Sequence, residues 1–372
     1  MMREIHNCPS TLAEGFNAYC PDAALQLFGG EEVAPFLDFE IDGKALDGTT
    51  VALNRISVSG VQEKFSAVVD SGKIRLAAHD ERSTHILKPA PWDVLLAQRN
   101  EIPANEHLTM QIASQVYGIA TAPNGLCFSK KGNPIYITRR FDVTPDGTKS
   151  NMEDFSVIAG RNEQVLGSHF KYDGCYADIA DGIRRISSDV DGDLMRFLNV
   201  LVFNYIYANG DAHLKNFTMI FGKDGKCVLS PAYDLLNTRL HVNDSDFALD
   251  GGLSPDIEKS DVYLSTQHPC RLDFERFGLH IGLSADVIKP VLDSYSAIPE
   301  RVKMLVANSF LSAKMRRMYL RVVEERCKRF VRGGEEVEIE KNLSIKFDGY
   351  EKMLYLCDQQ THPASHRTAR SG

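Results

Sequence analysis

The stretch from Leu194 to Asp234 constrains this chain more than any other. Leu194, Phe197, Leu198, Leu201, Val202, Tyr205 and Ile206 recur at helical spacing and predict a strongly apolar helix, which Asn209-Gly210 ends. A polar loop follows, Asp211-Ala-His213-Leu-Lys215-Asn216. After it come two β-prone runs, Phe217 to Phe221 and Cys227 to Leu229, joined by the turn sequence Lys223-Asp224-Gly225, and the unit closes on Tyr233-Asp234. A buried helix feeding a polar loop and then a tight hairpin predicts one cleft. Into it would point the carboxylates of Asp211 and Asp234 and the amide oxygen of Asn216.

The residues before this unit read differently. Thr49 to Leu53, Phe65 to Val69, Lys73 to Ala77 and Thr84 to Leu87 are short β-prone runs, with Asp70-Ser71-Gly72 turning the second into the third. A helix is predicted after Pro103, with Asn105 as its N-cap, Glu106 in its first turn and Gly118 at its end. Leu126 to Phe141 reads as a hairpin turning at Lys131-Gly132-Asn133. Beyond Asp154 helices dominate: Phe274 to Ile281, Ala285 to Ser294 and Phe310 to Phe330 join the apolar helix. Strands first and helices second predict an α+β fold, with a small β-rich lobe over residues 1–150 and a larger helical lobe over 151–332. A chain of 372 residues is long enough for both. Residues 333–372 form a tail with one stray strand at Glu335 to Phe347 and a disordered end from His362.

Bulk properties exclude several function classes. The formal net charge of −8 argues against gripping nucleic acid by electrostatics, which needs a surplus of Lys and Arg. Eight scattered cysteines without a C-x-x-C pair give no zinc framework and no disulfide set; small buried apolar roles suit them. No apolar run is long enough to cross a membrane and no signal peptide is visible, so the expected setting is cytoplasmic.

The triad of oxygens suits phosphoryl transfer, which asks a protein for positioning and charge neutralisation more than for covalent chemistry. Asp211 would orient the attacking hydroxyl and take its proton, while Asn216 and Asp234 would hold Mg²⁺ against the phosphates of ATP. D-x-x-x-x-N alone is a common pattern; its weight comes from the apolar helix before it and the hairpin after it. Upstream, Ser57-Val-Ser59-Gly60-Val61-Gln62-Glu63-Lys64 is a small-residue loop whose backbone N–H groups could approach phosphate. Lys88 closes a strand, and Glu106 on the next helix could pair with it.

In these motifs the chain resembles the HipA-like serine/threonine kinases, toxins of bacterial toxin–antitoxin modules. The resemblance runs from Arg55 to Thr238 through Arg55-Ile-Ser-Val-Ser-Gly-Val-Gln-Glu-Lys64, Thr84-His-Ile-Leu-Lys-Pro89, Asn105-Glu106, Arg140-Phe-Asp142, Asn209-Gly-Asp-Ala-His-Leu-Lys-Asn216 and Pro231-Ala-Tyr-Asp234. It implies a two-lobed protein-kinase-like fold. It also implies phosphate contacts from Ser59, Gly60, Val61, Gln62, Glu63, Lys64 and Lys88, and an adenine border at Arg139, Arg140 and Phe141. Asp211 would be the catalytic base, with His213, Lys215, Asn216, Tyr233 and Asp234 completing the nucleotide and metal site. The family further implies autophosphorylation of Ser57, with Ser59 a second candidate. Arg139 stands where the family often carries Glu.

Only 56 residues precede Ser57, which resembles the short HipT-type variant, where a separate small protein supplies an N-terminal part. The implied partners are that helper, an antitoxin with a DNA-binding domain, and a protein substrate, by analogy an aminoacyl-tRNA synthetase. Two other readings fit the catalytic loop. Gly210-Asp211 with Asn216 also matches the Gly-Asp-x4-Asn pattern of small-molecule and lipid kinases, and a nucleotide-binding pseudokinase would act by binding alone.

Overall fold

The computed structural model describes residues 4–41, 63–144 and 147–332. The expected strand at Thr49 to Leu53, the loop residues Ser57, Ser59, Gly60, Val61 and Gln62, and both expectations for the tail lie outside the described residues.

Helix α1 (Pro21–Phe28) precedes strands β1 (Phe65–Asp70), β2 (Lys73–Leu76) and β3 (His85–Lys88), then α2 (Ile102–Tyr117), β4 (Asn124–Phe128) and β5 (Pro134–Arg139). The five strands form an antiparallel sheet in the order β2-β1-β3-β5-β4. Both predicted turns are present, and both require left-handed backbone: Ser71 and Gly72 have φ of 52° and 75°, and Gly132 has φ of 84°. Side chains alternate across the sheet as the strand period of two demands. Phe65, Ala67, Leu87, Cys127, Ile135 and Ile137 meet α1 on one face, while Leu126, Phe128 and Tyr136 meet α2 and the helical region on the other.

Strand β6 (Asn151–Asp154) leads into the short helices α3 (Phe155–Ile158) and α4 (Glu163–Leu166), then α5 (Tyr176–Ile186) and α6 (Val190–Ile206). The predicted hairpin is β7 (Thr218–Phe221) and β8 (Cys227–Leu229), and β6 adds to it as a third antiparallel strand. The remaining helices are α7 (Asp261–Thr266), α8 (Arg271–His280), α9 (Ala285–Asp293), α10 (Glu300–Asn308) and α11 (residues 313–332). Within the described residues this is the mixed α+β architecture that the sequence predicts, β-rich first and helical after.

Helix α2 departs from expectation at its start. It begins at Ile102, after a 3₁₀ turn at Arg99–Glu101, and Asn105 is not its cap. Pro103 sits within the first turn, where its missing N–H costs nothing. Every residue from Ile102 to Ala113 is buried, so Asn105 and Glu106 answer to tertiary partners rather than to the helix end. Asn105 Nδ2 donates to the Asn237 carbonyl (2.9 Å) and is 2.8 Å from His241 Nε2, while Thr109 Oγ1 meets Tyr319 Oη on α11 at 2.9 Å. Thus α2 belongs to the β-rich region by chain order but is bolted to the helical one. All seven cysteines among the described residues are free and buried, as their scatter suggests.

Candidate active site

Helix α6 delivers the catalytic-loop candidate. Its N-cap is Asp189, and its apolar face is fully buried through Leu198, Leu201 and Tyr205. Beyond it the chain turns sharply, with Ala208 in the left-handed region at φ 53°. Asn209 then acts as a clamp. Its Nδ2 donates to Asn204 Oδ1 (2.9 Å) and to the Asp234 carbonyl (3.3 Å), and its Oδ1 accepts the Asp211 N–H (3.3 Å). The Gly210 N–H donates to Thr238 Oγ1 at 2.8 Å. A side chain at Gly210 would place its Cβ 2.6 Å from the Ser245 carbonyl oxygen and closer still to Asp244. Gly210→Ala is therefore expected to lose about 1–3 kcal/mol of stability and to shift the loop that carries Asp211. Thermal unfolding checks this, and unchanged stability would contradict it.

Asp211 is held at the end of this loop, where the Tyr172 hydroxyl donates to its Oδ1 at 2.8 Å. Burial raises the Asp211 carboxyl to about 7, with Lys171 and Tyr172 opposing the rise and Asp234 and Asp244 adding to it. A base poised near neutrality suits proton transfer at physiological pH.

Four charges lie in a row beside it. Lys88, at the end of β3, donates to Glu106 Oε1 of α2 (2.5 Å) and to Asp234 Oδ1, and Lys64 donates to Asp234 Oδ2 at 3.3 Å. The Lys88 and Glu106 side chains are only 4% and 3% exposed. Alternating signs make the row neutral overall, which is what lets it be buried. Burial pulls Lys88 down, but Asp234 and Glu106 on either side outweigh it and hold the ammonium above its ordinary range. Burial likewise pushes Asp234 up, and Lys64 and Lys88 overcome that to keep its carboxyl well below the usual carboxylate range. Glu106 is raised by burial, with Lys88 opposing. Asp234 itself has φ 56°, a conformation that costs a residue with a side chain of order 1–3 kcal/mol. Asn209 holds it there.

Asn216 Nδ2 faces Asp234 Oδ2 at 3.4 Å, while its Oδ1 accepts the His213 N–H at 3.0 Å. The Asp234 carboxylate is a hard oxygen donor of the kind that Mg²⁺ takes, with lone pairs to share between ammonium and cation, whereas Asn216 would ligate through the second lone pair of the Oδ1 that accepts the His213 N–H. Among the described residues no group of three His, Cys, Asp or Glu side chains could hold a metal, so a cation here would complete its shell with phosphate and water.

A cavity of about 410 Å³ opens onto these groups, lined by Lys64, Lys88, His213, Lys215, Asn216 and Asp234. Its apolar lining comes from Ile86, Ala122, Met152, Phe141 and Tyr233, and Arg139 and Arg140 also line it. Phe141 and Tyr233 pack at 5.6 Å, and the Tyr233 hydroxyl donates to the Lys215 carbonyl at 2.8 Å. Arg139 Nη1 donates to the Gln26 carbonyl in the C-terminal half of α1 (3.3 Å), and Arg140 makes a two-pronged pair with Asp142. The His213 ring is buried, without a hydrogen-bond partner among the described residues, and burial followed by Lys171 pulls its pKa down to about 3, so it is neutral. Glu63 is buried but does not line this cavity; burial raises its carboxyl, which faces the Trp92 backbone.

A larger cavity, about 620 Å³, lies between residues 244–259 and α11. Its ionic groups largely satisfy one another, Asp246 with Arg326 and His268, Glu325 with Arg329. The smaller cavity is the candidate site because strained backbone at Asp234, a buried charge row and His213, Lys215 and Asn216 of the Asp211 loop meet there. Lys171 and Tyr172 lie outside the motifs, and Asn209 and Thr238, read there only as motif or segment bounds, turn out to hold the Asp211 loop.

A β-rich region carrying a buried Lys–Glu pair, followed by a helical region carrying Asp…Asn and a second Asp, is the arrangement of a protein-kinase-like fold. The chain belongs to the HipA-like C-terminal domain family, which matches residues 56–302. Two relatives from Sinorhizobium fredii carry kinase names. Y4mE is 30% identical over 193 residues, covering 50% of this chain and 43% of its own length, and Y4dM is 32% identical over 212 residues, covering 52% and 48%. The chain thus spans less than half the length of either. Among solved structures, the HipA chain of the Shewanella oneidensis HipA–HipB–operator DNA complex superposes with a TM-score of 0.57 at 18% identity, over 74% of this chain and 65% of that one. That likeness is one of fold. Among the described residues no helix is long and apolar enough to cross a membrane.

Proposed function

We propose that this chain transfers the γ-phosphate of ATP to a serine or threonine hydroxyl of a protein. The observation that carries the reading is the Glu106–Lys88–Asp234–Lys64 row opening, with Asn216, onto a cavity that the loop of the buried carboxylate Asp211 also lines through His213 and Lys215. In this reading the adenine meets the apolar lining of Ile86, Ala122, Met152, Phe141 and Tyr233. Lys88 and Lys64 face the phosphates. Asp234 and Asn216 would hold Mg²⁺, which when bound offsets phosphate charge. Asp211 orients the acceptor hydroxyl and holds its proton on a carboxylate oxygen.

Incubation of the purified chain with γ-labelled ATP, Mg²⁺ and a cell lysate tests this. Label in one lysate protein or in the chain itself, absent with Asp211→Asn, supports it. Label appearing only when a sugar or amino alcohol is supplied favours a small-molecule kinase, and nucleotide-driven stabilisation without any transfer favours a pseudokinase. Phosphopeptide mapping of the same sample reads out the acceptor and any modification of Ser57 or Ser59. An antitoxin partner, as HipB is to the Shewanella protein, is likewise a proposal, checked by co-purification with the product of a neighbouring reading frame.

Asp234→Ala is expected to weaken Mg²⁺-dependent ATP binding about tenfold or more, since it removes the carboxylate between two buried lysines. An unchanged affinity in a magnesium titration would count against the metal role.

A further inference from the structure

Tyr172 lies outside every motif above, in the loop between α4 and α5, yet it touches the group on which transfer would depend. Three contacts fix it there. Its N–H donates to the His169 carbonyl (2.9 Å), its carbonyl accepts the Asp250 N–H (3.0 Å), and the neighbouring Lys171 carbonyl accepts the Leu214 N–H of the catalytic loop (3.1 Å). Its ring meets the buried His213 ring edge-on at 5.4 Å. The loop is therefore zipped to the catalytic loop by backbone, and the Tyr172 hydroxyl reaches Asp211 Oδ1 at 2.8 Å.

We propose that Tyr172 is the positioning residue of Asp211: its hydroxyl occupies Oδ1, fixes the carboxylate plane and leaves Oδ2 to receive the acceptor's proton. The proposal rests on the phosphotransferase reading and adds to it a residue 39 positions away in sequence. A hydrogen bond donated to a carboxylate stabilises its charged form, so Tyr172 also works to keep the base ionised. The other groups bearing on Asp211 are Lys171 from the same loop, which acts in the same direction, and Asp234 and Asp244, which act against it. His213, from the catalytic loop itself, is neutral.

Removing only the hydroxyl, in Tyr172→Phe, keeps the ring contact with His213. The transfer rate at saturating ATP is expected to fall about tenfold with KM for ATP unchanged, and the acid limb of its pH profile to move up by about one pH unit. A second readout needs no acceptor: the side-chain carboxyl carbon resonance that disappears in Asp211→Asn should titrate higher in Tyr172→Phe by the same amount. An unmoved acid limb and an unmoved Asp211 titration overturn the proposal, whatever happens to the rate. The two levels separate cleanly. If Asp211→Asn transfers as fast as the unmodified chain, the phosphotransferase assignment of this loop fails; if that variant is silent while Tyr172→Phe matches the unmodified chain, only the positioning role fails.

Discussion

Asp211→Asn is expected to transfer phosphate about 100-fold or more slowly than the unmodified chain while binding ATP with the same affinity. The substitution keeps size and shape, and the amide oxygen still accepts the Tyr172 hydroxyl, so the loop held by Asn209 and Thr238 has no reason to move. What disappears is the proton acceptor. The same logic gives a pH dependence with a definite sign. Burial raises the Asp211 carboxyl to about 7, so it is protonated and unable to accept a proton below that pH. The kcat/KM for transfer should therefore fall tenfold per pH unit as pH drops below about 7, and level off above it. An acid limb near the ordinary carboxylate range, or equal rates for the two proteins in a labelled-phosphate assay, would refute the assignment.

Lys88→Met is expected to cause the largest loss of stability of any single substitution at the site. Its ammonium bridges Glu106 and Asp234, and it lies with Glu106 in a nearly dry environment. Breaking a buried pair by removing one partner strands the other charge, at a cost of about 3–5 kcal/mol. Glu106 would meet part of that by taking up a proton, a change its raised pKa already favours. The double variant Lys88→Met/Glu106→Gln should then recover most of the stability but none of the ATP affinity, because the phosphates still lack their cation. Denaturant titration and nucleotide binding separate the two effects. If the double variant is no more stable than the single one, stranded charge is not the cause.

The features legible in the sequence were those with a local signal. The apolar period of α6, the Gly-containing turns of the three hairpins and the order loop, Lys88, Glu106, Asp211…Asn216, Asp234 could all be read directly; the structure sets Lys88, Asn216 and Asp234 on one cavity and pairs Glu106 with Lys88, while Asp211 does not line that cavity. The misreading of Asn105 shows the limit. Asn just after Pro is a good cap by local rules, but here α2 is buried along its length, and the side chain serves Asn237 and His241 more than 130 residues away. Tyr172 had no local signature at all; its role depends on how the loop before α5 docks on the catalytic loop, a contact that no spacing rule encodes. Helix α1 did carry a signal that went unplaced, Pro21 in its first turn and Gly29-Gly30 after its last. Lys64 was read as a phosphate contact, and the structure adds that it also neutralises Asp234, which periodicity could not reveal.

The account turns on whether Asp211, Asn216 and Asp234 serve one bound nucleotide. A crystal structure of the chain with Mg²⁺ and a non-hydrolysable ATP analogue asks this directly. The triphosphate is expected in the cavity of about 410 Å³, with the cation about 2.0–2.1 Å from oxygens of Asp234 and Asn216 and the γ-phosphate facing Asp211. A nucleotide bound elsewhere, or a cation that touches neither side chain, would contradict the account.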